Sequence, residues 1–411
     1  MLSLRTMKWV DSYVGQPLCL LFGVLARLKR RGPLSYPAEV RKVLVIKFWG
    51  MGSIVLAAPA LEKLKKKYPG CRIFFLTFDG NRDICRMIPS IDEILTIRID
   101  SNMATFIRDT LSILHRVRRE KFDFVADLEF FTRFSALITF LTRARVKAGF
   151  HAWETYRGNL HDIRIPFNYY WHVSDNFVNL AIAGDPSEGE RVLPRLVVPH
   201  DSEVWVSQFL TTKGVSPREL LVVLNPNAGE LALERRWPRE TFARLIRILE
   251  DRYAARLFLI GSKSEREYNA DILREAGTVK ADNLAGGLSI VRLAALFLRA
   301  NLVITNDSGP LHIACAVGTP TISFFGPETP VLYGPQGDGH HVFFRNISCS
   351  PCINVHNTKT VRCRRGHPEC LARITVEDVL DAVEACLKQS SAVGVSGRRQ
   401  PGDSLEEGQR S

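Results

Sequence analysis

The residues best suited to chemistry lie in one short run, Asn306-Asp-Ser-Gly-Pro-Leu-His312. The run follows an apolar stretch and opens a helical one. Backbone N–H groups at a helix start, with the helix dipole, form an anion site. Ser308 and the Gly309 amide suit a diphosphate. Asp307 is suited to accept from a ribose or sugar hydroxyl, and His312 falls in the first turn. The competing reading is a plain helix cap, because Asn, Asp and Ser all cap well. A cap needs one polar residue, and this run strings several together before ending in His, which favours a ligand site.

Two further strand-to-helix turns belong to the same half. Asn225-Pro-Asn-Ala-Gly229 ends an apolar run and contributes Asn227; Arg235-Arg-Trp-Pro238 follows it. Arg235 and Arg236 are suited to neutralise a diphosphate by bidentate contacts. As isolated residues they read equally as solvated surface arginines. Glu265, in Leu259-Ile-Gly-Ser-Lys-Ser-Glu265, is placed to hold a ribose or base, although Ser-x-x-Glu is also a routine helix start. In the first half, Lys47-Phe-Trp-Gly-Met-Gly-Ser53 is a glycine-containing turn. A lone G-x-G is weak, and with only Asp79 near the acidic position a dinucleotide needs, no nicotinamide site is expected.

Four of the nine cysteines are clustered: Cys349, Cys352, Cys363 and Cys370. A C-x2-C pair followed by two more fits a structural zinc, with a disulfide as the alternative. An all-thiolate shell leaves no open position for catalysis. The other five are scattered, which suits a reducing compartment.

The elements that must position these residues alternate. Apolar runs at 43–47, 72–78, 93–97, 124–129 and 145–150 predict strands separated by helices. Residues 151–200 lose the rhythm, save for one helix near 174–183. The alternation resumes at 221–225, 256–261, 302–307 and 321–326, and a last helix spans 375–388. This predicts an α/β protein of two doubly wound Rossmann-like halves facing across a cleft, ligands lying beyond the strands' carboxyl ends. The expected divisions are an amphipathic segment 1–36, a first half 37–185, a second half 186–389 and a disordered tail 390–411.

The formal net charge is +12, and residues 1–42 alone hold eight Lys/Arg against two acids. A localised basic end favours an anionic lipid surface. No nucleic-acid module is present, and no nucleic-acid partner is expected. The apolar stretch Leu18–Leu28 is shorter than the roughly 20 residues that span a bilayer, and no signal-peptide cleavage pattern follows it. Val10, Val14, Leu18, Leu21, Leu25 and Leu28 share one helical face, with a kink expected at Pro17. This predicts a helix lying on the cytoplasmic membrane surface; packing on the protein's own surface is the alternative.

Residues 41–388 resemble glycosyltransferase family 9, the heptosyltransferase family of lipopolysaccharide core assembly. The run Asn306–His312, continuing to Gly318-Thr-Pro320 and Phe325-Gly-Pro327, carries most of the resemblance. Arg235-Arg-Trp-Pro238 and Pro59-Ala-Leu61 add to it. The resemblance implies a GT-B fold and inverting, metal-independent transfer, typically from ADP-heptose, to a lipid-linked saccharide acceptor. With the basic amphipathic N-terminal segment, a peripheral position on the cytoplasmic face of the inner membrane is expected. The resemblance assigns Asp307, Ser308, Gly309 and His312 to the donor site, Arg235 to the diphosphate and Glu265 to the nucleotide.

One departure matters. The family's first loop carries Gly-Asp, the Asp serving as general base; this chain has Gly52-Ser53. A neutral Ser has no basicity at pH 7. Asp127, at the end of the fourth strand, becomes the candidate base, with Glu129 and Asp79 behind it. Two rivals stand beside transfer: a nucleotide-sugar epimerase on the same scaffold, and a non-catalytic nucleotide-sugar binder. Fold alone does not separate these.

Overall fold

A computed structural model describes residues 9–29, 35–99, 102–151, 155–183, 193–229, 233–277, 280–353 and 362–392. Most of the expected disordered tail, and residues 1–8 and 30–34 of the expected amphipathic segment, lie outside the described residues.

Twelve strands form two six-stranded sheets. The first contains β1 (Lys42–Ile46), β2 (Arg72–Phe78), β3 (Glu93–Ile97), β4 (Phe124–Asp127), β5 (Val146–His151) and β6 (Ile163–Pro166), in the order β3-β2-β1-β4-β5-β6. The second contains β7 (Leu221–Asn225), β8 (Arg256–Leu259), β9 (Ala281–Asn283), β10 (Leu302–Asn306), β11 (Thr321–Phe325) and β12 (His340–Phe344), in the order β12-β11-β10-β7-β8-β9. Every pairing is parallel. Counted from its own first strand, each sheet runs 3-2-1-4-5-6, the doubly wound order. The strand order therefore reverses between β1 and β4 in one half and between β7 and β10 in the other, and the chemistry-bearing loops leave these four strands.

The central strands are apolar because helices cover both faces. Val43–Ile46 and Leu302–Ile304 are completely buried. The three strands absent from the sequence expectation, β6, β9 and β12, are sheet edges. They are short and only half-buried, so no apolar run announces them.

The halves are stitched together beside the cleft. Val197 N–H donates to the Met87 carbonyl (2.8 Å), next to Leu196, whose N–H donates to the Ala316 carbonyl (3.0 Å) within the second half. His172 Nε2 of the first half lies 3.0 Å from the Gly334 carbonyl of the second. Within the first half, the Val173–Ile182 helix packs on the Ala58–Lys67 helix.

Near the N-terminus, a π-helical turn (Asp11–Gly15) runs into an α-helix (Gln16–Lys29). The irregular turn directly precedes Pro17, which has no N–H to sustain a regular ladder. This helix lies on the Arg133–Leu141 helix, with Phe22 stacked on Phe140.

Candidate active site

In the second half, the ends of β7 and β10 are laced together by amides. Asn225 Nδ2 donates to Ser308 Oγ (2.8 Å) and Thr305 Oγ1 (3.0 Å). Trp237 N–H donates to Asn306 Oδ1 (2.9 Å). Asn227 is buried and donates to the Ile260 carbonyl and to Asn269 Oδ1, both at 2.9 Å. Trp237 anchors the arginine loop from below: it is fully buried, stacks on Phe324 and donates through Nε1 to the Ile374 carbonyl (3.0 Å).

Ser308 is the N-cap of the Gly309–Ala316 helix, but its side chain makes no capping hydrogen bond. Its hydroxyl faces Asn225 and the Asn306 carbonyl instead. The cap reading of this residue is therefore not what the fold uses, and the helix start keeps its amides for another acceptor.

Arg235 donates to Asp307 Oδ2 (3.3 Å) and to the Ala228 carbonyl (2.6 Å). Arg236 stacks on Tyr268, with 4.1 Å from guanidinium to ring centre, and sits 3.6 Å from Glu265. Both arginines keep a buried Nε–H without a hydrogen-bond partner. A buried unsatisfied donor costs about 1–3 kcal/mol, and this loop carries two.

Glu265 is a capping residue. Its carboxylate receives Ser262 N–H (2.8 Å) and Ser262 Oγ (2.9 Å), completing a capping box, and its other oxygen takes Gly229 N–H (3.3 Å). It braces the loop that carries Arg236.

The first half meets this site through glycine. Gly50 caps the Met51–Val55 helix with φ +82°, and Gly52 lies against the other half. A Cβ on Gly52 would fall 2.5 Å from His312 Cδ2 and 3.2 Å from Gly309 Cα. Ser53 is half-buried on the same turn. Tyr333 lies on the second half's side of the cleft. Burial pushes its phenol well above its usual range, and the nearby Glu328, Asp307 and Glu129 carboxylates add to the effect. Glu129 of the first half thus shares one electrostatic neighbourhood with Asp307 of the second.

Asp127 is not placed to serve as a base. It is fully buried, paired with Arg157, 3.0 Å from His161 Nε2 and 3.0 Å from Ser135 Oγ. Burial opposes its charge, but Arg157 and His161 outweigh this and hold the carboxyl below the usual range. A base must reach the proton it abstracts, and this carboxylate is walled in by partners. Glu129, two residues on, is equally buried but differs in its partners. Oε1 receives Phe48 N–H (2.7 Å), Trp49 N–H (2.8 Å) and the Lys47 ammonium (2.9 Å), while Oε2 has no hydrogen-bond partner. Asp79 is bound by Arg82 and Thr96 on the half-exposed rim.

The expected zinc site is not supported. The four cysteines line one cavity of about 20 Å³ with Glu234, Pro327 and Arg365. Among the described residues, however, no three His, Cys, Asp or Glu are arranged to hold an ion. Cys363 Sγ turns to the His367 carbonyl (3.0 Å), and Cys349 engages the Arg365 guanidinium. All four are free thiols. Burial raises the Cys352 and Cys370 thiols, Cys370 to about 11.

A family model described as glycosyltransferase family 9 (heptosyltransferase) matches residues 110–361, more than half of the chain. The chain belongs to glycosyltransferase family 9. It is a glycosyltransferase of GT-B fold. Lipopolysaccharide heptosyltransferase 2 of Escherichia coli K12 is 25% identical over 358 residues, covering 85% of this chain and 100% of that one. Lipooligosaccharide heptosyltransferase 2 of Haemophilus influenzae is 26% identical over 305 residues, 72% of this chain and 86% of its own length. Among solved structures, a family 9 glycosyltransferase from Veillonella parvula superposes with TM-score 0.71 at 22% identity, covering 86% of this chain and 99% of that one. E. coli ADP-heptose lipopolysaccharide heptosyltransferase II gives 0.68 at 21%, over 85% and 99%. At these identities the superpositions establish the fold.

Proposed function

We propose that this family 9 enzyme transfers heptose, with inversion, from ADP-heptose to a lipopolysaccharide core or related envelope glycolipid, at the cytoplasmic face of the inner membrane. The observation that carries the donor assignment is the convergence of Arg235 and Asp307 with the Ser308–Gly309 helix start, which has no side-chain cap, at the ends of β7 and β10. The names of the curated relatives support the sugar and the acceptor class.

On this reading, Arg235, Arg236 and the Ser308–Gly309 amides take the departing diphosphate as its charge grows, while Asp307 and Asn227 order the loops around it. His312 holds the helix start against the first half. The acceptor hydroxyl attacks the anomeric carbon, the glycosyl–phosphate bond breaks, and the hydroxyl proton leaves to a carboxylate. Glu129 takes that role in place of Asp127, through its unpartnered Oε2, once opening of the cleft beside the Ser53 turn uncovers this buried carboxylate. No residue of this scheme needs a metal or cofactor.

The test is direct. Arg235→Ala and Asp307→Ala each remove a charged member of the donor loop and should weaken ADP-heptose binding in calorimetry about ten- to hundredfold, the equivalent of one charge-assisted hydrogen bond. Mass spectrometry should show one heptose added to a core acceptor by the wild type. Unchanged donor affinity in both variants would overturn the donor assignment. Release of a free rearranged sugar without acceptor would favour an epimerase.

A further inference from the structure

The N-terminal helix is mounted inside-out. A surface helix ordinarily hides its large apolar side chains and shows its polar ones. Here the face against the protein is made of small residues. Gly15, Cys19 and Gly23 recur every four positions and are buried. The backbones nearly touch: a Cβ on Gly23 would fall 2.4 Å from the Gly158 carbonyl oxygen, and one on Gly158 only 2.1 Å from the Cys19 carbonyl oxygen. Asp11 fastens the other end. Its Oδ1 accepts from Arg133 N–H and Phe134 N–H, both at 2.9 Å, and its Oδ2 pairs with the Arg133 guanidinium at 3.2 Å.

The large side chains point away. Trp9, Tyr13, Val14, Leu20, Leu21, Val24 and Leu25 are exposed, and Leu28 is 79% exposed. The expected apolar stripe is therefore real, but it faces outward. Residues 12–26 contain no charged side chain, while Lys8 precedes the run and Arg27, Lys29, Arg30 and Arg31 close it. A second outward stripe, Met103, Ile107 and Leu111, lies on the Met103–Glu120 helix, whose Phe106 packs on Phe134. Both helices flank the same Arg133–Leu141 helix.

We infer that this helix is a rigid membrane-docking blade: its small-residue face locks it to the first half, and its apolar face enters an anionic lipid monolayer. No described helix is long and apolar enough to cross a membrane. An uncharged apolar face bounded by basic residues matches an interface-bound helix, with lipid tails taking the side chains and anionic headgroups the Lys/Arg. The basic closure selects lipid over a second copy of this +12 chain. The inference takes from the proposed function only that the acceptor is lipid-linked. It adds that the cleft is held in a set orientation to the surface, since the segment that seats the helix also carries Arg157, which ties together β4 and β5 through Asp127 and the Phe150 carbonyl.

The full chain should sediment with vesicles containing phosphatidylglycerol and much less with pure phosphatidylcholine. Leu20→Glu, Val24→Glu and Leu28→Glu together change only exposed positions, so circular dichroism should stay native while vesicle partitioning falls at least a hundredfold. Gly23→Leu should unseat the helix yet keep its apolar face: vesicle binding persists, but heptose transfer to a vesicle-embedded acceptor drops relative to a delipidated, soluble one. Vesicle binding unmoved by the triple substitution overturns the inference. So does a dimer, seen by sedimentation velocity without lipid, that the triple variant dissociates. Binding needs no donor or acceptor, so failure here and failure of the transferase reading are separate results.

Discussion

Arg157→Met should be the most destabilising single change in the first half, lowering stability by about 3–5 kcal/mol in urea denaturation at pH 7. Arg157 is almost fully buried, pairs with Asp127, and donates to the Glu129 carbonyl (2.6 Å) and the Phe150 carbonyl (2.9 Å). Removing it leaves the buried carboxylate with only His161 and Ser135 as side-chain partners, which costs far more than the pair is worth against an apolar replacement. The double variant Arg157→Met with Asp127→Leu should therefore recover much of the loss. The pH dependence separates charge from packing. In the wild type, Asp127 is held below its ordinary range, so its contribution is present above about pH 3.9, the unfolded carboxylate value, and fades as pH falls through the folded value. Without Arg157 the sign reverses. With only His161 left to oppose it, burial should raise the folded carboxyl above the unfolded one, so the penalty should shrink as pH falls from 7 towards 4. A wild-type-to-variant gap that stays constant over that range would mean the loss is packing, not charge.

Glu129→Gln should leave ADP-heptose affinity within a factor of a few and cut turnover by about 10²–10⁴-fold, the usual worth of a positioned general base. The amide still accepts from the Phe48 and Trp49 backbone N–H groups through its carbonyl oxygen, so the loop keeps its shape. Buried Lys47 loses its counter-charge, and a thermal midpoint measured alongside reports that cost. Ser53→Asp then reads the other half of the question. With Glu129 as base, a second carboxylate on the turn should be neutral or harmful. If Glu129→Gln leaves the rate alone while Ser53→Asp raises it, the site has lost its base, and Glu129 is not its replacement. Asp79→Asn, on the rim, is the control.

How much of this was legible in the sequence varies by residue. The central strands β1, β7 and β10 were, because strands buried on both faces write themselves as unbroken apolar runs. The edge strands were not. The donor loops were legible as polar strand ends: Ser308, read as a ligand residue over a plain cap, makes no capping hydrogen bond, while for Glu265 the alternative of a routine helix start is the one the fold uses, closing a capping box. Spacing alone cannot say whether a side chain turns inward or toward a cleft, which is also why Asp127 looked like a base. Its partners Arg157 and His161 come from the aperiodic stretch after residue 150, where nothing marks a buried ion pair. The four cysteines carried metal-like spacing, but spacing does not aim sulfur atoms. Lys47, Tyr333 and Glu328 gave no signal beyond their residue types.

Gly52 and Gly309 bring backbone against backbone where the two halves touch, with His312 closing one side. Only the flexible Met51 side chain gives way at that point, so the halves have little room to approach further there. A turn about it would also have to break the Val197 N–H bond to the Met87 carbonyl and the His172 contact with the Gly334 carbonyl. Admission of a bulky sugar nucleotide is then a matter of angle more than separation, and the fulcrum stands beside the helix proposed to meet the phosphates. A methyl group at residue 52 would press on His312 and Gly309, so a change at the fulcrum would also be felt along the donor-side helix.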